Sequence, residues 1–107
     1  MRDRAPFGFA GLWERRTDKA SGEVVRSCTI ITTTPNEVCA PIHDRMPVIL
    51  PPEGYRRWLG QEATEPVHLL KLLRPFPAER MTAFPTGSRI GNVKNDDAAL
   101  IEPVAVA

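Results

Sequence analysis

Val24-Val25-Arg26-Ser27-Cys28-Thr29-Ile30-Ile31-Thr32-Thr33-Thr34 is the stretch on which the reading of this chain turns. Eight of its eleven residues are Val, Ile or Thr, whose branching at Cβ restricts χ1 and suits a pleated strand. Ile30 and Ile31 are adjacent, so apolar side chains point to both faces. That pattern predicts an interior strand covered on both sides, with Cys28 inside it as a small buried hydrophobe. Pro35 stops the strand, because it has no N–H to give to a ladder.

Reading upstream, Phe7, Phe9 and Trp13 alternate with Gly8 and Gly11 between them. Aromatics at period two predict a second strand, and the glycines predict close backbone approach or a bulge. The polar run Arg15 to Gly22 reads as a hairpin loop joining the two strands. Downstream, Asn36 is placed to cap a short helical turn through Ala40. Val48-Ile49-Leu50 is a short buried strand. Pro52 and Glu53 suit the first turn of a helix running to Leu59, and Gly60 suits its end. Pro66 to Leu73 reads as a second short helix, broken by Pro75 and Pro77. Met81 to Phe84 is a candidate strand, and Gly91 to Asn95 a loop. Short strands alternating with short helices give an α+β fold with a mostly antiparallel sheet.

A chain of 107 residues makes one small domain. The hydrophobic content of 42% and charged content of 25% are those of a globular protein. Net charge is +1, so no global basic field draws the chain to nucleic acid, and any DNA contact needs a local patch. The N-terminus is charged with no apolar run behind it, and no stretch approaches the roughly 20 apolar residues of a membrane span. Two cysteines are too few for a disulfide scaffold, which makes the cytoplasm the expected compartment.

His43 is the residue best placed for chemistry. It lies between Pro41 and Pro47 where one strand ends and another begins, with Asp44 and Arg45 beside it. Imidazole takes and gives protons near neutral pH, although a hydrogen-bonded histidine without a chemical role fits the same pattern. Cys39 stands four residues before His43, the spacing of a nucleophile pair or half a metal site. Pro41 between them argues against a continuous helix, and no second pair completes a metal site, so neither metal nor cofactor is expected. Arg45 reads equally as a phosphate contact or as an ion-pair partner of Asp44. Arg89 and Lys94 are candidates for the same groove, and Asn92 and Asn95 read as turn residues. Arg56 and Arg57 read as the solvent side of a helix that buries Trp58.

Phe7 to Glu14, Cys28 to Thr33, Asn36, Ile42-His43-Asp44-Arg45-Met46-Pro47-Val48-Ile49-Leu50, Trp58-Leu59 and Gly91 to Asn95 follow one another in an order that resembles the C-terminal half of the SRAP family, the SOS response-associated peptidases. The resemblance covers nearly the whole chain, so residues 1–107 read as half of one such domain. It implies half of a paired-barrel sheet and capture of abasic sites in single-stranded DNA, with a linked peptidase or self-processing activity. In that chemistry the amine and thiol of a cysteine at position two close a thiazolidine on the opened sugar. His43 would lie against the deoxyribose and move protons, Thr32 would line the pocket, and Arg45 would hold phosphate. The sequence departs from the family at the nucleophile, because position two is Arg2. The segments that supply the family's asparagine and glutamate are not matched either. The chain alone is therefore expected to be inactive. Its rival readings are a fragment that binds single-stranded DNA or complements a separate N-terminal half, a pseudogene product, and a hydrolase using Cys39.

Overall fold

The computed structural model describes residues 1–105. Six short strands, β1 (Gly8–Phe9), β2 (Gly11–Thr17), β3 (Val24–Ile30), β4 (Thr32–Thr33), β5 (Met46–Pro47) and β6 (Ile49–Leu50), form three antiparallel pairs: β1 with β6, β2 with β3, and β4 with β5. The pairs share three chain segments. Residues 8–17, 24–33 and 46–50 each run along one neighbour, then switch to the other, at Ala10, Ile31 and Val48 respectively.

At those three residues the backbones close a ring. The Ala10 N–H donates to the Val48 carbonyl (2.8 Å), the Val48 N–H to the Ile31 carbonyl (2.9 Å), and the Ile31 N–H to the Ala10 carbonyl (2.9 Å). Three main chains meeting at a point leave little room, and the first of them brings only a methyl group. Ala10 and Val48 are both fully buried. Gly11, the next residue, answers the glycine expectation: a Cβ there would lie 3.1 Å from the Thr29 carbonyl oxygen.

Two apolar clusters flank the ring. Ala10, Val48, Leu50 and Leu72 form one, with Ile31, Tyr55, Trp58, Leu69 and Leu73 against it. Met46, Ile49 and Phe76 form the other, with Met1, Cys39 and Met81 against it. Val48 to Leu50 is thus the buried strand its composition promised. The two helices cover the first cluster. The segment after Pro51 is a 3₁₀ turn, Pro52–Gly54, running into α1 (Tyr55–Trp58), and Gly60 at φ +73° ends it. The second helix, α2, is shorter than the composition suggested and spans Pro66–Leu70. Trp58 faces inward and its indole N–H donates to the Gly11 carbonyl (3.1 Å), which ties the helix to the strand switch.

Four expectations fail here. The stretch Val24 to Thr34 is neither one strand nor an interior one: the partner switch at Ile31 divides it, and every residue of β3 is exposed. The reason is geometric. Beyond the ring, β2 and β3 project as a two-stranded ribbon with no third strand beside it and no layer on either face. Cys28 is accordingly exposed rather than buried. Met81 to Phe84 joins no ladder; among the described residues the pairing nearest it in sequence is an isolated bridge of Thr86 with Pro103. The hairpin loop is also tighter than the polar run suggested, because β2 continues to Thr17 and the turn occupies 18–23.

Candidate functional site

The turn that carries His43 begins at a buried polar residue. Asn36 is 7% exposed, and its Oδ1 accepts from the N–H groups of Val38 and Cys39, both at 3.1 Å. Its own carbonyl accepts from Cys39 and Ala40. The cap inferred from sequence is therefore present, and it relays onward: the Cys39 carbonyl accepts from Ile42 (2.8 Å) and from His43 (3.0 Å). Cys39 approaches His43 through this backbone bond alone, since its side chain packs against the Met46–Ile49–Phe76 cluster. That packing removes the basis for pairing its thiol with the imidazole. No group of three or more His, Cys, Asp or Glu side chains able to hold a metal ion occurs among the described residues.

The imidazole itself stands in the open, with 68% of its side chain exposed. Its Nδ1 accepts from the Arg45 N–H at 3.0 Å, while an Asp44 carboxylate oxygen lies 3.0 Å from the same nitrogen. One nitrogen cannot serve both. In the neutral ring Nδ1 is the acceptor, the Arg45 bond is made, and the proton sits on Nε2. In the protonated ring the Nδ1–H turns to Asp44. The imidazole thus has a bonded partner in either state, a property suited to a group that takes and returns a proton.

Arg45 leaves Asp44 aside. Its Nε donates to the Thr32 Oγ1 (3.2 Å), and its Nη2 to the same hydroxyl (3.0 Å) and to the Thr32 carbonyl (2.9 Å). The β4–β5 register, with Thr32 opposite Pro47 and Thr33 opposite Met46, brings the two residues together. Arg45 forms no ion pair among the described residues. A guanidinium whose orientation is fixed by neutral acceptors keeps its charge and its Nη1 hydrogens for an anion. Thr32, His43 and Arg45 therefore share one exposed rim at the end of the strand ring. Arg89, proposed for the same groove, is instead paired with Asp97 at 2.9 Å. Asn92 and Asn95 serve their turn: Asn92 Oδ1 accepts from the Lys94 N–H, and Asn95 Nδ2 donates to the Arg89 carbonyl.

The sequence reading did not anticipate the far side of Asn36. Its Nδ2 donates to the Phe76 carbonyl (2.7 Å) and to the Met81 sulfur (3.2 Å), and its backbone N–H to the Met46 sulfur (3.3 Å). Partners 40 and 45 residues away leave no local trace; only an asparagine directly after Pro35 hinted at a capping role. Arg80, stacked 4.7 Å over the Phe76 ring, was likewise unforeseen.

With this geometry in hand the comparisons are direct. The family model described as SOS response associated peptidase (SRAP) matches residues 1–93. The abasic site processing protein YoqW of Bacillus subtilis is 45% identical over 96 residues, which is 90% of this chain and 42% of that protein. The abasic site processing protein YedK of Escherichia coli is 34% identical over 88 residues, 78% of this chain and 38% of its own length. An X-ray crystal structure of a protein from Bacteroides thetaiotaomicron superposes with a TM-score of 0.80 at 29% identity, over 92% of this chain and 44% of that one. The chain thus spans less than half the length of these relatives. On the match over residues 1–93, the chain belongs to the SOS response associated peptidase (SRAP) family.

Proposed function

We propose that these residues supply the proton-transfer and phosphate-holding side of an abasic-site processing domain, and that the reaction is covalent capture of the opened sugar in single-stranded DNA. The observation that carries this reading is the rim itself: an imidazole bonded in both protonation states, two residues from a guanidinium that Thr32 orients and no carboxylate neutralises. Arg45 holds a phosphate beside the lesion and so fixes the sugar relative to His43. An amine adds to the C1′ aldehyde and water leaves to give an imine. His43 delivers the proton that lets the hydroxyl depart and recovers it in the reverse direction. Thiol addition to the imine carbon then closes a thiazolidine.

Ring closure needs an amine and a thiol on adjacent carbons, as only an N-terminal cysteine presents them. Cys28 and Cys39 both lie within the chain, with their nitrogens in peptide bonds. Neither presents that pair, so in this reading the attacking group comes from polypeptide outside these 107 residues. The names of the relatives support the substrate class; the capture step and the roles of the three residues belong to this proposal.

The test uses abasic single-stranded oligonucleotide and a denaturing gel. The chain alone is expected to give no hydroxylamine-sensitive shifted band. Mixed with the cysteine-bearing N-terminal portion of a relative, it is expected to give one, and His43→Ala is expected to slow its formation by roughly 10²–10⁴-fold, the usual contribution of one general acid or base. Equal rates for His43→Ala and the unsubstituted chain would move His43 to a purely structural role.

A further inference from the structure

We propose that Asn36 is a positioning residue for His43, acting through the two-step turn between them; the inference rests on the reading of His43 as the working imidazole. Three features point the same way. The side chain amide is buried, and its oxygen and nitrogen are both fully used. Its oxygen takes the first two free N–H groups of the turn, and the turn's next carbonyl, that of Cys39, holds the N–H of His43. Its nitrogen clamps the base of the turn to the Phe76–Met81 segment, which packs with Met46 and Ile49 and so with the strand that follows Arg45.

An exposed imidazole has no packing of its own to set its orientation. Its placement must come from the backbone below it and from the Arg45 N–H above. The backbone below is anchored at Asn36. Of the two ends of this amide, the oxygen faces the turn and the nitrogen faces the core, so the two jobs separate chemically. An aspartate at position 36 keeps the acceptor and loses the donors, whereas an alanine loses both.

The experiment follows the ring nitrogens of His43 by NMR in the ¹⁵N-labelled 107-residue chain. In the unsubstituted chain the two ring nitrogens should give well-separated signals, with Nδ1 as the unprotonated acceptor. In Asn36→Ala that separation should collapse towards a tautomer average, and exchange at the His43 and Arg45 amides should rise about tenfold, while the ring amides of Ala10, Ile31 and Val48 stay protected. In Asn36→Asp the His43 signals should stay as in the unsubstituted chain while those of Phe76 to Met81 move. Unchanged His43 signals in a folded Asn36→Ala chain would overturn the proposal. So would an Asp variant that displaces them, because the effect would then run through the core and not through the cap. If the alanine variant loses its protected ring, the Asp variant decides alone on the same criterion. No DNA enters the measurement, so a His43 that proves idle in capture leaves this result standing.

Discussion

Trp13 offers a sharp test of how this molecule behaves in solution. A folded 107-residue protein exposes roughly 6,000 Å² and has a radius of gyration of about 13 Å. This chain exposes 8682 Å² with a radius of 17.7 Å. The surplus, about 2,700 Å², is of the size that a tightly held partner removes from one side of an extensive interface. Large apolar side chains stand exposed on the β2–β3 ribbon, where Leu12 is 56%, Trp13 72% and Ile30 52% exposed. Successive side chains point to opposite faces, so Leu12 and Trp13 leave both faces open.

Such a ribbon has unpaired edges as well as open faces, and association is the expected outcome for the chain on its own. Replacing Trp13 by Glu tests this. A tryptophan side chain carries up to about 250 Å², and at 72% exposure its burial in an interface is worth at most about 4.5 kcal/mol. Association realises a fraction of that, because ordering and imperfect fit offset it; half gives roughly a 45-fold weaker dimer. Stability of the fold should hardly change, since little of Trp13 is buried within the chain. Sedimentation equilibrium over a concentration series, with thermal unfolding alongside, reads both quantities. A chain that stays monomeric at every concentration and unfolds in one sharp transition would refute the argument, as would a Trp13→Glu chain that associates as strongly as its parent.

The remaining predictions address the ring, the turn and the rim. Val48→Ala removes the equivalent of two buried methylenes where three backbones meet, and should lower stability by about 2–3 kcal/mol, visible as a melting point lower by roughly 10 °C or more. Asp18 has its carboxyl held below the ordinary value of 3.8 first by the Ala20 N–H and then by the Ser21 hydroxyl. A depressed folded pKa contributes stability that is present above 3.8 and is lost as pH falls through the lower folded value. The Ala20 amide signal should therefore hold steady down to that ordinary value and move only below it, and Asp18→Asn should abolish the movement. Thr32→Val deletes the hydroxyl that accepts twice from Arg45 and leaves the carbonyl bond. In the completed domain it should weaken binding of a single-stranded oligonucleotide by roughly fivefold, and Arg45→Ala should weaken it further and flatten its salt dependence.

What the sequence shows of the fold is what is local. β-branching marked residues 24–34, which hold β3 and β4; alternating aromatics marked 7–13, which hold β1 and the start of β2; and Pro52 marked the 3₁₀ turn that leads into α1, with Gly60 closing the helix. Burial was misjudged for a physical reason. Adjacent isoleucines say that both faces of a strand are apolar; they do not say whether anything lies on those faces. Ile31 is drawn into the first cluster while Ile30, one residue away, is half exposed, because the partner switch falls between them. No pattern of period two announces a switch, since each residue of the ring still makes the hydrogen bonds of a strand, only to a different neighbour.

The rim divides in the same way. His43 and Arg45 are two residues apart, and their proximity needs no fold to create it; the flanking prolines were enough to place them at a strand junction. Thr32 is 13 residues from Arg45, and their contact exists only because β4 pairs with β5 in one register. A slip of one residue would turn Thr32 to the opposite face, leave the guanidinium free to pair with Asp44, and convert a held cation into an ordinary surface ion pair. The register is itself fixed by Val48, whose N–H and carbonyl are both committed to the ring immediately after Pro47. The ring that organises the core therefore also decides whether Arg45 is available to an anion. That coupling predicts that Val48 substitutions which keep the backbone N–H, such as Val48→Ala, will leave the Arg45–Thr32 bonds intact in the folded chain. A proline there must lose the N–H bond to Ile31 and should release the arginine, which the Arg45 Nε–H signal would report directly.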